Sequence, residues 1–185
     1  MNLKDNFNMF EIIEFPHVLT LLNLVAGMTS IFFAISKEYR FACIFMLIAV
    51  FFDFIDGRVA RYMKKVSNFG KELDSLSDLV SFGVAPVVLA FQTSKTIKEG
   101  WIFAIIIYVL FLTAGALRLA RFNLKEMNHF EGMPITVNGV IIPVLYFFEL
   151  SSWYPFIFLV SGVLMISAFR IKKVKGIKDL MWWKK

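Results

Sequence analysis

The 185-residue chain has little of what a water-soluble or secreted domain relies on. A single cysteine, Cys43, makes an intramolecular disulfide impossible and excludes a disulfide scaffold. Its neighbours Phe41, Ala42 and Ile44 mark it as a small buried hydrophobe. Charged residues make up only 18% of the chain, where a soluble domain carries about 25%. No low-complexity stretch and no short-period repeat interrupts it. The first residues lack the basic segment and small-residue cleavage site of a signal peptide.

What the chain has in excess is apolar surface. It is 58% hydrophobic, with 22 phenylalanines and a mean hydropathy of +0.69. That composition calls for a bilayer as solvent and excludes a disordered chain. In that setting the net charge of +6 faces anionic headgroups and fixes topology, and nucleic acid is not expected as a partner.

Uncharged runs mark the spans. His17–Ser36 (20 residues), Gly100–Leu117 (18), Gly132–Phe148 (17) and Leu150–Phe169 (20) each approach bilayer length. Phe41–Phe52 runs into Asp53 and Asp56, and Leu79–Ser94 follows Asp74 and Asp78. If both helices continue through their carboxylates, six spans result, at 17–36, 40–63, 70–93, 99–121, 134–150 and 153–170. The predicted class is all-α and polytopic. A six-helix membrane domain covers residues 16–170, residues 1–15 form an interfacial amphipathic helix, and residues 171–185 form a basic tail anchored at the surface by Trp182 and Trp183. This topology puts 16 of the 20 basic residues on the side of the termini. Lys37, Arg40, Lys95 and Lys98 fall on the other side, which predicts cytoplasmic termini.

Ionisable groups inside a span are costly and point to function. At roughly 100° per residue, Asp53, Asp56, Gly57 and Ala60 share one helix face, and Gly70, Asp74 and Asp78 line another. Four facing carboxylates repel unless compensated, and two divalent cations would cancel them. Oxygen-only ligands suit Mg²⁺ or Mn²⁺. Gly57 and Ala60 leave room for a ligand beside the metals. The turn Ser67-Asn68-Phe69-Gly70 starts a helix whose free N–H groups can hold phosphate. The competing readings are carboxylates paired with Arg58, Arg61, Lys64 and Lys71 for structure, and a cation-transport path. Neither accounts for four carboxylates interleaved with small residues.

Written as a pattern, the segment is Asp53-x2-Asp56-Gly57-x2-Ala60-Arg61-x8-Gly70-x3-Asp74-x3-Asp78. It resembles the signature of the CDP-alcohol phosphatidyltransferase family at every position. The stretches LTLLNLVAG (19–27), GKELDSLSDLVSFGVAP (70–86), RLARFN (118–123) and FEGMPITVNG (130–139) resemble the serine-using branch. The resemblance covers about residues 15–145. It departs where the family often has Pro-Asn before the first span and this chain has Pro16-His17, so His17 reads as an interfacial residue or a nucleotide contact.

The resemblance implies transfer of a phosphatidyl group from CDP-diacylglycerol to the hydroxyl of L-serine, at a cytoplasm-facing site in a homodimeric membrane enzyme. It implies that Asp53, Asp56, Asp74 and Asp78 hold two Mg²⁺ or Mn²⁺ ions and that Asp78 is the general base. It also implies that Asp56, Gly57, Ala60, Arg61, Ser67, Gly70 and Lys71 cradle the nucleotide, with Thr20 and Asn23 nearby. Arg118 and Arg121, one turn apart, suit serine's carboxylate, and Glu131 suits its ammonium group. His129 reads as a loop residue. A sibling transferase using glycerol phosphate or inositol phosphate is the alternative.

Overall fold

The computed structural model describes residues 14–63, 67–93, 97–124, 129–167 and 170–172, with backbone alone at 97–101, 129–131 and 170–172. Six helices run through the described residues: α1 (Phe15–Ile35), α2 (Tyr39–Tyr62), α3 (Asn68–Thr93), α4 (Ile97–Leu124), α5 (Thr136–Phe147) and α6 (Tyr154–Ile166). Each overlaps one expected span. The expected helix at residues 1–15 and the tail beyond Lys172 lie outside the described residues, as do Lys64 and Lys65.

Three stretches are long and apolar enough to cross a membrane: Phe15–Ile35, Asn68–Thr93 and Ile102–Leu124. Helix α2 has the length, at 24 residues, but carries Asp53, Asp56, Arg58 and Arg61 in its second half. Helices α5 and α6 are apolar but shorter than the expected 134–150 and 153–170. Helix α5 ends early because Glu149 turns left-handed (φ 58°) after it. The Glu149 and Leu150 amides then close back on the carbonyls of Tyr146 and Leu145. Lys37 (φ 63°) ends α1 in the same way, through Lys37 to Ala34 and Glu38 to Phe33.

One feature departs from the all-α expectation. Strands β1 (His129–Glu131) and β2 (Arg170–Lys172) pair antiparallel, with Phe130 opposite Ile171. Gly132 follows in a left-handed conformation (φ 76°), where a side chain would meet the Leu164 carbonyl at 3.1 Å. The Met133 amide donates to that carbonyl, so the ribbon is tied to the end of α6. It also carries ordered chain past residue 170, where the tail was expected to begin. Three-residue strands carry too little alternation to be read from sequence.

Helix α1 packs along α2 and α4 along α6. Helix α3 touches α1, α2, α4 and α5 and so occupies the centre. Helix α1 is inside-out relative to a soluble helix. Thr20, Asn23, Gly27 and Ser30 are buried, while Val18, Leu22, Val25 and Phe32 are exposed. In lipid, small and polar side chains let helices approach and hydrogen-bond, and apolar ones face the tails. Ser30 accordingly donates to the Ala42 carbonyl of α2 at 2.8 Å.

Candidate active site

The centre of the site is built by α2 and α3. Carboxylate oxygens of Asp53, Asp56 and Asp74, three of the four that the two-face reading brought together, all lie within 4.8 Å of one another. Asp56 is 5% exposed and Asp78 is 8% exposed. Asp56 Oδ2 and Asp74 Oδ1 are buried without a hydrogen-bond partner. Such oxygens are strongly unfavourable unless a cation or donor meets them. Their chemistry, three converging carboxylates and no nitrogen or sulfur, fits a hard divalent cation. Asp78 lies one turn further along α3 and interacts electrostatically with Asp53.

Helix α1 sets the orientation of α3 through a ladder of contacts. His17 Nε2 lies 3.2 Å from Ser67 Oγ, Ser77 Oγ donates to the Thr20 carbonyl at 3.1 Å, and Ser81 Oγ donates to the Asn23 carbonyl at 3.1 Å. The Asn23 amide donates to Asp78 Oδ1 at 3.3 Å, and the Thr20 hydroxyl donates to the Pro16 carbonyl of its own helix at 3.3 Å. Gly27 makes the approach possible, since a side chain there would meet the Ser81 Cα at 2.7 Å. Between Leu79 and Val84, α3 winds as a π-helix, directly after Asp78. Such widened turns recur at functional sites.

The entrance is polar and open. Gly57, Arg61 and Lys71 are exposed and Ala60 is half-buried. A side chain at Gly57 would meet only the Arg61 guanidinium, at 3.9 Å, so space is free beside the carboxylates. Arg61 Nε donates to the Gly57 carbonyl at 2.7 Å, and Arg58 lies 3.8 Å over the Phe54 ring. These contacts, rather than carboxylates, occupy the two arginines. Ser67 caps α3, accepting from the Gly70 amide at 3.0 Å. His17 packs inward rather than standing exposed. It is buried at 4% exposure, in edge contact with Phe69, and joins the start of α1 to that of α3. Gly70 is needed there, because a Cβ would sit 2.8 Å from His17 Nε2.

The acceptor candidates separate. Arg118, buried on α4, interacts electrostatically with Asp78. Arg121 turns away, its Nη2 donating to the Met165 carbonyl of α6 at 3.4 Å. Asn123 bonds Glu72 and Ser75 of α3. The side chains of His129 and Glu131 lie outside the described residues. Sequence reasoning missed Thr136, which interacts with Asp53 from the start of α5. It also missed Ser77 and Ser81, whose four-residue spacing was the available signal.

Residues 13–174 match the model of the CDP-alcohol phosphatidyltransferase family. The chain is 39% identical over 172 residues to an archaetidylserine synthase of Methanothermobacter thermautotrophicus, covering 89% of this chain and 72% of that protein. It is 35% identical over 180 residues to a CDP-diacylglycerol–serine O-phosphatidyltransferase of Helicobacter pylori, covering 89% and 74%. A protein of that same name from Bacillus subtilis is 33% identical over 162 residues, covering 86% and 88%.

Proposed function

The chain belongs to the CDP-alcohol phosphatidyltransferase family, and on that basis we propose that it transfers a phosphatidyl group from CDP-diacylglycerol to L-serine, releasing CMP. Serine is the acceptor common to the names of its relatives, while the lipid differs between archaetidyl and diacylglyceryl forms. The observation that carries the proposal is the meeting of Asp53, Asp56 and Asp74 around two unpartnered carboxylate oxygens, inside the family's signature. A cation path would use the carboxylates but would not need the open space at Gly57.

Asp53, Asp56, Asp74 and Asp78 would hold two Mg²⁺ or Mn²⁺ ions, and these would supply charge neutralisation to the donor's pyrophosphate and to the leaving CMP. Arg61 and Lys71, exposed at the rim, bind phosphate from the entrance side. Gly57 and Ala60 leave space for the nucleotide, Ser67 and Gly70 shape the start of α3 beside it, and Thr20 lines the same side from α1. Asp78 takes the serine hydroxyl proton as that oxygen bonds to the lipid-side phosphorus, and the bond from this phosphorus to the oxygen of CMP breaks. Positioning supplies most of the acceleration in such a transfer.

The finer topology belongs to the same proposal. All six helices cross the bilayer, an interfacial helix precedes them, and the site and termini face the cytoplasm, as the distribution of basic residues supports. The family resemblance supports a homodimer. The test is product analysis with purified protein in lipid nanodiscs, CDP-diacylglycerol, Mg²⁺ or Mn²⁺, and a panel of labelled alcohols. Phosphatidylserine and CMP in equal amounts are expected. Incorporation of glycerol phosphate or inositol phosphate in place of serine would move the chain to a sibling activity.

A further inference from the structure

The start of α1 meets the start of α3 through an imidazole whose two nitrogens have different partners. Nδ1 of His17 accepts from the Glu14 amide at 3.1 Å. A ring nitrogen that accepts carries no proton, so the neutral ring holds its proton on Nε2. Nε2 lies 3.2 Å from Ser67 Oγ and therefore donates to it. The ring is held in that orientation. His17 is buried, and Phe69 meets it edge-on at 5.3 Å and 81°. Gly70 supplies the room, because a Cβ there would lie 2.8 Å from Nε2 and 3.2 Å from Ser67 Oγ.

Ser67 Oγ also accepts from the Gly70 amide at 3.0 Å. A hydroxyl oxygen has two lone pairs and one proton. The helix cap takes one lone pair and the imidazole takes the other, so the hydroxyl can act further only as a donor. Among the described residues no acceptor receives that proton. Ser67 is half-buried, and the amide of Lys71, whose side chain is exposed at the entrance, donates to the Ser67 carbonyl at 3.2 Å. The available proton therefore stands one helical turn from a cation.

We infer that His17 is a positioning residue for the donor substrate: by filling the second lone pair of Ser67 Oγ, it turns the hydroxyl proton onto a phosphate oxygen of the bound nucleotide. This deepens the proposed function, which puts a CDP group here, and rests on it. The family signature does not supply the contact, since the family often has asparagine where this chain has His17. Without the imidazole, the hydroxyl could rotate and present a lone pair to the phosphate. With it, only a donor faces the anion, and a hydrogen bond to an ionised oxygen is about twice as strong as a neutral one.

The test uses the full chain in nanodiscs, with CDP affinity read by calorimetry in Mg²⁺ and steady-state kinetics with CDP-diacylglycerol and L-serine. His17→Leu and His17→Gln both remove the Nδ1 acceptor, but only glutamine keeps an N–H that reaches Ser67. His17→Leu should weaken CDP binding about 10-fold and raise KM for the CDP-lipid by a similar factor, with kcat within about twofold and KM for serine unchanged. His17→Gln should stay within about threefold of wild type in both. Ser67→Ala should match the leucine variant, and the double variant should lose no more than Ser67→Ala alone, as one relay requires. His17→Met serves if the leucine variant does not purify as a single species. Equal losses in the leucine and glutamine variants would leave His17 a cap for α1 and overturn the relay. Multiplying losses in the double variant, or unchanged CDP affinity in Ser67→Ala, would overturn it too. A wild-type protein that binds no CDP in Mg²⁺ would refute the proposed function itself, and that titration, run first, separates the two failures.

Discussion

The seam between α1 and α3 and the seam between α4 and α6 are built from different side chains. Along α1 and α3 the contacts are hydroxyls on carbonyls, an amide on a carboxylate, and Gly27 against Ser81. Along α4 and α6 they are rings: Phe111 and Phe158 meet at 4.6 Å and 71°, and Tyr108 meets Phe158 at 5.0 Å and 76°. Edge-to-face pairs add about 0.5–1.5 kcal/mol beyond burial and tolerate small rotations. Hydrogen bonds between helices do not tolerate rotation, because each donor must meet one carbonyl. The polar seam therefore fixes the rotation of α3, which aims Asp74 and Asp78, while the aromatic seam supplies cohesion.

The largest effect should come from stripping divalent cations, which removes the partner of the carboxylates that the polar seam aims. EDTA is expected to abolish turnover, and Mg²⁺ or Mn²⁺ to restore it. Full activity after exhaustive chelation would break the link between that seam and chemistry. Next, Asp78→Asn keeps the shape and removes the proton acceptor. Turnover is expected to drop by about 10²–10⁴-fold, with CDP-lipid still bound in the presence of metal. Asp53→Asn should instead weaken nucleotide and metal binding together, read by calorimetry with CDP.

Arg61 lies outside both seams, so Arg61→Ala should weaken CDP binding about 10-fold while the detergent-purified protein stays monodisperse. Unchanged CDP affinity would make Arg61 a topology anchor only. The sharpest contrast pairs one change in each seam. Gly27→Ala meets Ser81 backbone and should cost about 1–3 kcal/mol in thermal stability and lose turnover as well. Phe158→Leu should cost about 1.5 kcal/mol yet leave kcat/KM within about twofold. Similar activity losses in both variants would erase the division of labour.

The carboxylates were legible in the sequence because a charge in an apolar run has few reasons to be there. Helical spacing then assigned Asp53 with Asp56 and Asp74 with Asp78 to faces, but spacing along one helix does not name its partner. Thr136 reaches Asp53 from a helix more than eighty residues later in the chain, and nothing local marks it. Arg118 and Arg121 read alike, one turn apart, and only packing distinguishes the buried one from the one whose guanidinium meets the Met165 carbonyl. His17 read as an interfacial residue or a nucleotide contact, and its packing against the start of α3 was not legible from its neighbours. Helix positions were legible from apolar length, whereas the ends of α5 and α6 depended on a left-handed turn and a ribbon.

The π-helical turn of α3 makes this span behave like a keyed shaft. On one side of Leu79–Val84 stand Asp74 and Asp78, and on the other Ala85, Leu89 and Ala90 are packed into the core. Losing one residue in the widened turn would shorten the 26-residue helix by about 1.5 Å, which a bilayer absorbs. A π-helical turn carries about one residue more than an α-turn over the same rotation, so that loss would let Leu79–Val84 tighten to α winding with the two halves still in phase. The same loss within the α winding of Asn68–Asp78 would instead rotate Asp74 against Asp78 by about 100°. Deletions in this span are therefore constrained by angle rather than by length, and a chain could remain fully inserted in its membrane with part of its chemistry turned toward the lipid.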